Sequence, residues 1–334
     1  MVVMELTLAD VVAARDVVYR HLPPTPMWSY PALNAAVGAT VFVKHENVQP
    51  IGAFKVRGGL TLLDAMPAAE RERGTVSWST GNHAQSIAYA SAVYGAPCTV
   101  VMPAAANPAK AAAVRGYGAD VVLTGVDLEA AQAHAEELAV VRGALLVSPG
   151  DTSELLAGVG TLYLEMLEAQ PELDAVLVPI GSGTGAGAAS VVAAAVAPKC
   201  RVIGVQSEAS PAGHDSWRAG GLVKRPNRTR VDGLATGRGF DLPQRILRKL
   251  LADFLLLTDD EIGEAQRLMA RNAHTLAEGA GAAGLAAVVA RPDLFAGKRV
   301  GIVCTGGNAD AAELAALSRP GAGPALDRRS RPAS

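Results

Sequence analysis

Lys55 stands in an apolar setting, between Phe54 and Val56 in the glycine-containing segment 52–59. A lysine ammonium is normally solvated, and desolvation between an aromatic and a β-branched residue would lower its pKa. An amine of low pKa can act as a nucleophile or a base, and it can hold an aldehyde cofactor. Taken without its neighbours, a surface lysine at the start of a helix is the commoner alternative.

A glycine-rich segment at 181–187 follows the apolar run at 174–180 and precedes an alanine-rich stretch. A strand, a glycine loop and a helix N-terminus in this order favour an anion such as phosphate. Gly181, Gly183 and Ala186 also match the dinucleotide fingerprint, with Glu208 at the end of the next strand. This segment alone therefore favours a single phosphate and a nicotinamide cofactor equally, with an ordinary tight turn as a third alternative.

Two further turns follow predicted strands and carry polar side chains. The turn at 79–83 reads Ser-Thr-Gly-Asn-His, and its groups could hold a carboxylate. The alternative is that Ser79 or Thr80 only caps a helix. Thr305 could hydrogen-bond a ring nitrogen, although a plain helix entry would have the same sequence.

The remaining basic groups receive structural interpretations. We interpret Lys44 as part of a solvated strand end at 44–46. Five histidines show no metal-ligand spacing and no nucleophile partner, so we expect surface or satisfied core groups. They are His21, His45, His134, His214 and His274.

Short apolar runs alternate with alanine-rich stretches, a pattern typical of parallel β-α-β units. The predicted strands are 41–44, 75–78, 98–102, 121–124, 145–148, 175–180, 201–206, 254–258 and 299–305. The predicted helices are 55–66, 84–94, 107–116, 127–142, 158–169, 186–196, 259–274 and 277–290. Asn107, followed by Pro108, and Asp127 are predicted N-caps. The fold class is α/β.

The bulk composition bounds the class of protein. The chain has 334 residues, 50% of them hydrophobic and 4% aromatic, with a formal net charge of -2. This length suits two lobes around a cleft, and the charge gives no field that would favour nucleic acid or an anionic membrane. We expect a small-molecule ligand, with no nucleic-acid or membrane partner.

Three scattered cysteines, Cys98, Cys200 and Cys304, favour a reducing compartment. The N-terminus lacks the pattern of a signal peptide, so we expect a cytoplasmic protein. The segment 209–245 is the only long stretch predicted to be irregular, and we interpret it as a lid or wall of the cleft. The tail from about Arg319 is predicted to be disordered.

The order and residues of these motifs resemble those of the fold-type II family of pyridoxal phosphate enzymes, most closely its serine/threonine dehydratase branch, over about residues 15–318. The matching segments are 25–27, 46–50, 52–58, 79–85, 232–235, 278–282 and 305–308. The resemblance implies a two-lobed fold like that of the tryptophan synthase β chain, with mostly parallel twisted sheets and helices on both faces. It implies a large lobe of residues 1–47 and 151–320, a small lobe of residues 48–150, and a homodimer. The composition of the remaining tail, 321–334, predicts disorder.

The resemblance also implies roles for individual residues. Lys55 would carry pyridoxal 5'-phosphate as a Schiff base and, once released, remove the Cα proton. Asn82 would hydrogen-bond the phenolic oxygen of the cofactor, and Thr305 would face the pyridine nitrogen. The cofactor ring would be lined by Phe54, Gly233 and Glu278, and its phosphate would be cradled by Gly181, Ser182, Gly183, Thr184 and Gly185. The substrate carboxylate would be held by Ser79, Thr80, Asn82 and His83.

The implied reaction is β-elimination from a serine- or threonine-type amino acid to give a 2-oxo acid and ammonia. Ser182 and Thr184 interrupt the glycine run of typical threonine dehydratases, so phenylserine, 3-hydroxyaspartate and hydroxyectoine-derived substrates stay open. Thr80 stands where the related serine racemases have a catalytic serine, so racemisation stays open too. A nicotinamide-dependent oxidoreductase would leave Lys55 and Asn82 unexplained, and a non-enzymatic binding protein would have no need of them.

Two accessory features of the family do not carry over. Some members hold a cation at the positions of Glu208, Ala212 and His214, but the histidine replaces an expected acidic ligand, so we predict no metal site. The sequence ends soon after the last motif, so we expect no C-terminal regulatory domain and no feedback control by isoleucine through one.

Overall fold

The helices and strands alternate along the chain in a computed structural model that describes residues 6–318. The strands are β1 (Met27–Ser29), β2 (Thr40–His45), β3 (Thr75–Trp78), β4 (Cys98–Met102), β5 (Asp120–Leu123), β6 (Leu145–Val147), β7 (Ala175–Pro179), β8 (Arg201–Ser207), β9 (Asp253–Leu257) and β10 (Arg299–Cys304). The predicted tail at 321–334 lies outside the described residues.

The helices lie mainly between these strands. They are α1 (Leu8–Tyr19), α2 (Pro31–Val37), α3 (Val56–Ala65), α4 (Ala68–Arg73), α5 (Asn82–Tyr94), α6 (Pro108–Gly116), α7 (Leu128–Arg142), α8 (Ser153–Ala169), α9 (Thr184–Val196), α10 (Ala212–Ala219), α11 (Asp241–Leu250), α12 (Asp259–Asn272), α13 (Gly279–Ala290), α14 (Pro292–Phe295) and α15 (Ala311–Leu317). Short 3-10 turns add Glu46–Val48 and Asp232–Leu234.

The strands form two separate sheets. The larger has the order β1-β2-β10-β7-β8-β9, and the smaller has the order β5-β4-β3-β6. All neighbouring strands are parallel except β1, which runs antiparallel to β2. The α/β class with mostly parallel sheets and helices on both faces is confirmed. The lobe boundaries at 47/48 and 150/151 stay predictions.

Helix α8 forms the centre of the packing beneath the larger sheet. Its residues from Leu155 to Leu167 are all buried, which is typical of a helix surrounded by other elements. Gly158 allows the close contact with α3, because a Cβ there would lie 2.4 Å from the carbonyl oxygen of Arg57. This contact fixes α3, and so the lysine immediately before it, against the rest of the protein.

Each predicted strand is present, with its ends displaced by no more than one residue. The predicted caps are also confirmed, since Asn107 accepts from the Ala109 N–H and Asp127 from the Ala130 N–H. The prediction for 209–245 is wrong in part, because this segment contains α10 and the first residues of α11. Among residues 6–318, no helix is long and apolar enough to cross a membrane.

Candidate active site

The carboxyl ends of three parallel strands bring the predicted chemical residues together. Ser79 follows β3, Gly181 comes shortly after β7, and Thr305 follows β10. A crevice at the carboxyl ends of parallel strands is the usual ligand site of α/β folds. A cavity of about 1030 Å³ opens there. Its lining includes every residue predicted to hold cofactor or substrate: Phe54, Lys55, Ser79, Thr80, Asn82, His83, Gly181, Ser182, Gly183, Thr184, Gly185, Gly233, Glu278 and Thr305.

Lys55 is partly buried at the wall of this cavity, one residue before α3. Its Nζ donates to Thr184 Oγ1 at 2.6 Å and to Ser182 Oγ at 3.3 Å, and it lies 5.3 Å from the centre of the Phe54 ring. Burial lowers the pKa of Lys55 from 10.5 to about 7. The amine is therefore partly neutral near neutral pH, as the apolar sequence around it predicts.

The glycine loop meets the start of α9 at this lysine. Thr184 and Gly185, predicted to belong to the loop, form the first turn of α9, and Gly183 precedes it with φ of +90°. A side chain at Gly181 would place Cβ only 2.3 Å from the carbonyl oxygen of Gly233. The first N–H groups of a helix have no intrahelical partner, so this turn suits an anion.

Asn82 joins the two sides of the cavity. Its Nδ2 donates to Glu278 Oε1 at 2.7 Å, and its Oδ1 accepts from Asn308 Nδ2 at 2.8 Å. Burial raises the pKa of Glu278 to about 7, although the hydrogen bond from Asn82 opposes this shift. Asn308 also donates to the carbonyl oxygen of Ile51, so the amide of Asn82 is held in one orientation. One hydrogen of its NH₂ group remains for a ligand.

The turn at 79–83 contributes a second polar surface. Neither Ser79 nor Thr80 caps α5 through its side chain, because Gly81 is the N-cap and Ser79 Oγ accepts from the Gly81 N–H. His83 is buried, with Nε2 2.9 Å from Ser77 Oγ. Burial, with a contribution from the charge of Lys55, lowers the pKa of His83 to about 3, so the ring is neutral. Carboxylate binding by this turn stays a prediction.

Thr305 connects the end of β10 to the lysine segment. It is buried, and its carbonyl oxygen accepts from the Phe54 N–H at 2.9 Å. The neighbouring Gly306 leaves room for Glu278, since a Cβ there would lie 2.3 Å from Glu278 Oε1. The placement of Thr305 on the cavity wall agrees with the predicted contact to a ring nitrogen, which remains a prediction.

The interpretation of 44–46 as a solvated strand end is wrong, because Lys44 and Glu46 are 2% and 0% exposed. Arg57 donates to Glu46 through Nε and Nη2 at 2.8 Å and to Glu165 through Nη1 at 2.6 Å, while Lys44 Nζ lies 2.5 Å from Glu165. Burial alone would raise the pKa of Glu46, but Arg57, Thr25 and Lys44 together lower it. Buried charges require such partners. The sequence signal for this network was the presence of opposite charges, Glu46 and Arg57, in two adjacent motifs.

The other predicted groups lie outside the cavity. His45 is a satisfied core histidine, with Nε2 2.9 Å from the hydroxyl of Tyr30. Glu208, Ala212 and His214 are not among the lining residues. His214 lies beside Asp215 instead, at 3.0 Å. Between residues 6 and 318, no three His, Cys, Asp or Glu side chains are grouped so that they could hold a metal ion.

Fold and site together define a two-lobed α/β enzyme whose cleft holds an amine of low pKa opposite an anion-binding turn. A family model described as "Pyridoxal-phosphate dependent enzyme" matches residues 18–306. The chain belongs to this family. Membership removes the nicotinamide alternative, and Glu208, the residue expected at the ribose, lies outside the cavity.

Three individual proteins are similar to this chain over most of its length. The chain is 36% identical to an L-threo-3-hydroxyaspartate ammonia-lyase of Pseudomonas sp, covering 92% of this chain and 97% of the relative. It is 35% identical to the L-threonine ammonia-lyase of Thermotoga maritima, covering 91% and 76%. The structure of maize serine racemase superposes with a TM-score of 0.88 at 28% identity, covering 93% of this chain and 96% of that one.

The residues present fit pyridoxal phosphate on the geometry of this cavity. Lys55 offers a partly neutral amine to an aldehyde, and the first turn of α9 offers free N–H groups to a phosphate. Glu278 and Asn82 bound the space between them. Two contributors were missed from the sequence: Asn308, which orients Asn82, and Arg57, which anchors α3.

Proposed function

We propose that this protein is a pyridoxal phosphate-dependent ammonia-lyase that eliminates water from a small β-hydroxy amino acid. The resulting enamine becomes an imine, and its hydrolysis takes up one water and gives a 2-oxo acid and ammonia. The observation that carries the proposal is the amine of Lys55, whose pKa is lowered to about 7, in a cavity beside the glycine turn and Asn82. The two named ammonia-lyases support it, because they match 91% and 92% of this chain.

When bound, the cofactor supplies an electron sink for a carbanion at Cα. The chain supplies the positioning. The first turn of α9 would hold the phosphate, Phe54 and Gly233 would bound the ring, and Asn82 would donate to the phenolic oxygen through its remaining N–H. Thr305 would face the ring nitrogen with a neutral hydroxyl.

Lys55 would move the proton. A base is most effective when its pKa lies near the working pH, and the pKa of about 7 meets this condition. The amine takes the proton from Cα of the substrate and becomes an ammonium. This ammonium donates hydrogen bonds to the hydroxyls of Thr184 and Ser182. Neutral His83 and the turn at 79–82 would hold the substrate carboxylate without adding a competing base.

The substrate class within β-hydroxy amino acids stays open between serine or threonine and 3-hydroxyaspartate, phenylserine or hydroxyectoine-derived compounds. Racemisation is the second candidate, because Thr80 places a hydroxyl on the cavity wall and the maize serine racemase shares the fold. Product analysis separates the two: ammonia and a 2-oxo acid indicate elimination, and the opposite enantiomer of the substrate indicates racemisation.

The test combines spectroscopy with one substitution. The purified protein is expected to show a visible band that borohydride removes, and Lys55→Ala is expected to lose both the band and ammonia release. Ammonia release is then measured with serine, threonine, 3-hydroxyaspartate and phenylserine. A colourless wild-type protein, or a fully active Lys55→Ala variant, overturns the proposal.

We also propose that the chain forms a homodimer and acts in the cytoplasm, with lobes of residues 48–150 and of 1–47 with 151–320. Trp28 is 56% exposed and packs 5.2 Å from the ring of His45, which gives an aromatic surface suited to a second copy. Three buried, unpaired cysteines suit a reducing compartment. Light scattering of the purified chain tests the dimer, and a monomeric mass contradicts it.

A further inference from the structure

The amine of Lys55 and two hydroxyls form a hydrogen-bonded triangle at the cavity wall. Nζ lies 2.6 Å from Thr184 Oγ1 and 3.3 Å from Ser182 Oγ, and the two oxygens are 3.4 Å apart. Within residues 6–318, these hydroxyls are the hydrogen-bond acceptors of Nζ, and no carboxylate is paired with it. An exposed lysine would use water instead, so the triangle is a built environment.

Thr184 is the more rigid of the two partners. It is 1% exposed and is the first residue of α9, directly after Gly183 with its φ of +90°. A β-branched side chain on a helix has few χ1 conformers, so Oγ1 is restricted to few positions before the amine reaches it. Ser182 lies in the turn before α9 and is partly exposed, and its contact is 0.7 Å longer, the difference between 3.3 and 2.6 Å.

We propose that the Thr184 hydroxyl is the positioning group for the free amine of Lys55, holding Nζ whenever the lysine is not bonded to the cofactor, with Ser182 as the secondary acceptor. This inference rests on the proposed function, because it assigns a residue to the same reaction. A hydroxyl has two lone pairs and one hydrogen. Thr184 can therefore accept from Nζ and still donate to an anion at the start of α9.

Holding the amine has two consequences. The Thr184 hydroxyl keeps Nζ at one point although the lysine side chain is flexible. Recapture of the cofactor and removal of the Cα proton therefore begin from an aligned amine. The Thr184 hydroxyl accepts a hydrogen bond from Nζ and so favours the ammonium form of Lys55, whereas burial disfavours that form. Removing the hydroxyl should therefore slow recapture and lower the pKa of the amine further.

The experiment measures the reaction of Lys55 with the cofactor instead of substrate turnover. Full-length protein is stripped of cofactor with hydroxylamine, and the return of the visible band is timed after addition of pyridoxal phosphate across the neutral pH range. The midpoint of the rate profile reports the pKa of the free amine. Wild type is expected to give a midpoint near 7. Thr184→Val keeps the shape of the side chain and removes the hydroxyl.

Thr184→Val is expected to regain the band about tenfold more slowly, with a midpoint lower by about one pH unit, as loss of a hydrogen bond to a charged group predicts. Thr184→Ser keeps the hydroxyl and should restore both values, and Ser182→Ala should change the rate about twofold. Wild-type rate and midpoint in Thr184→Val, or failure of Thr184→Ser to restore them, overturn the role of Thr184 alone. Failure of wild type itself to regain a band overturns the proposed function with it.

Discussion

Asn82 Nδ2 lies 2.7 Å from Glu278 Oε1, and this hydrogen bond joins the first residue of α5 to the N-cap of α13 across the cavity. The two residues lie at the starts of two helices, 196 residues apart in sequence. The bond keeps Glu278 at the edge of the cavity with a pKa of about 7, because burial disfavours its charge more strongly than Asn82 favours it.

The raised pKa of Glu278 predicts a pH-dependent contribution to folding. Between about 4.5 and about 7 the folded protein binds a proton at Glu278 that the unfolded chain releases, so this residue's contribution to stability falls as pH rises. Glu278→Gln should remove a contribution on the order of 3 kcal/mol to that dependence. Urea unfolding of cofactor-free wild type and variant at the two ends of this range measures it.

The comparison with the variant is needed because His83 contributes with the opposite sign. Its pKa is lowered to about 3, so the unfolded chain binds the proton first and stability rises with pH up to about 6.5. Subtracting the Glu278→Gln curve cancels this contribution. Parallel curves for wild type and variant contradict a raised pKa at Glu278.

Removing Arg57 should destabilise the protein strongly. Arg57→Ala leaves Glu46 and Glu165 buried without their main partner, at a cost of about 3–5 kcal/mol in the free energy of unfolding. Arg15→Ala is the matched control, because its bond to Glu168 is solvent-exposed and should contribute less than about 1 kcal/mol. Denaturant midpoints of the two variants test this. Equal losses would mean that the buried charges are hydrated or paired in another way.

Gly181→Ala should impair cofactor binding more than folding. The new Cβ would lie 2.3 Å from the carbonyl oxygen of Gly233, so the glycine turn and the segment at 233 must separate. We expect the affinity for pyridoxal phosphate to fall about tenfold or more, since an anion site depends on aligned N–H groups. Gly221→Ala, where no atom lies within 4 Å of the added carbon, is the control. Fluorescence titration measures both, and matching affinities contradict the expectation.

The sequence predicted every described strand except β1, together with the three strand-end turns, because period and turn chemistry are local. The turns that meet at the cavity follow strands of two separate sheets, so strand order could not show that they meet, and the family resemblance supplied that expectation. Helix α1 was missed, although Thr7 and Asp10 form the capping box that begins it. That signal precedes a helix whose apolar face is short, with only three buried residues in its span.

Burial of charge was the feature that local reasoning could not supply. Lys44 is the last residue of the predicted strand 41–44 and precedes polar residues, which is also the pattern of a strand end in water. Its partner Glu165 lies 121 residues away on α8, inside the buried run from Leu155 to Leu167. The charge of Glu165 between buried neighbours was a local sign that a cation had to face it, beside the signal from Glu46 and Arg57.

The charge of Lys110 should reach Glu278 from the mouth of the cavity. Lys110 on α6 pairs with Asp232, next to Gly233, and its positive charge lowers the pKa of Glu278 against the effect of burial. Lys110→Gln should therefore raise that pKa above its wild-type value and move the Glu278-dependent step in stability to higher pH. The pair also joins α6 to the turn at 232–234 at the mouth of the cavity. Loss of the free energy of one partly exposed ion pair should therefore raise KM about two- to fivefold.

Lys224→Gln is the control for this prediction. Lys224 pairs with Glu129 at 3.0 Å, also at the mouth, but both side chains are more than two-thirds exposed, at 71% and 80%. Its charge is screened by water, so the Glu278-dependent step should stay in place. The measurement is urea unfolding against pH in cofactor-free Lys110→Gln and Lys224→Gln, with the Glu278→Gln background subtracted from each. A step that moves equally in both variants would show a general effect of net charge, and a step that stays fixed in both would contradict coupling between Lys110 and Glu278.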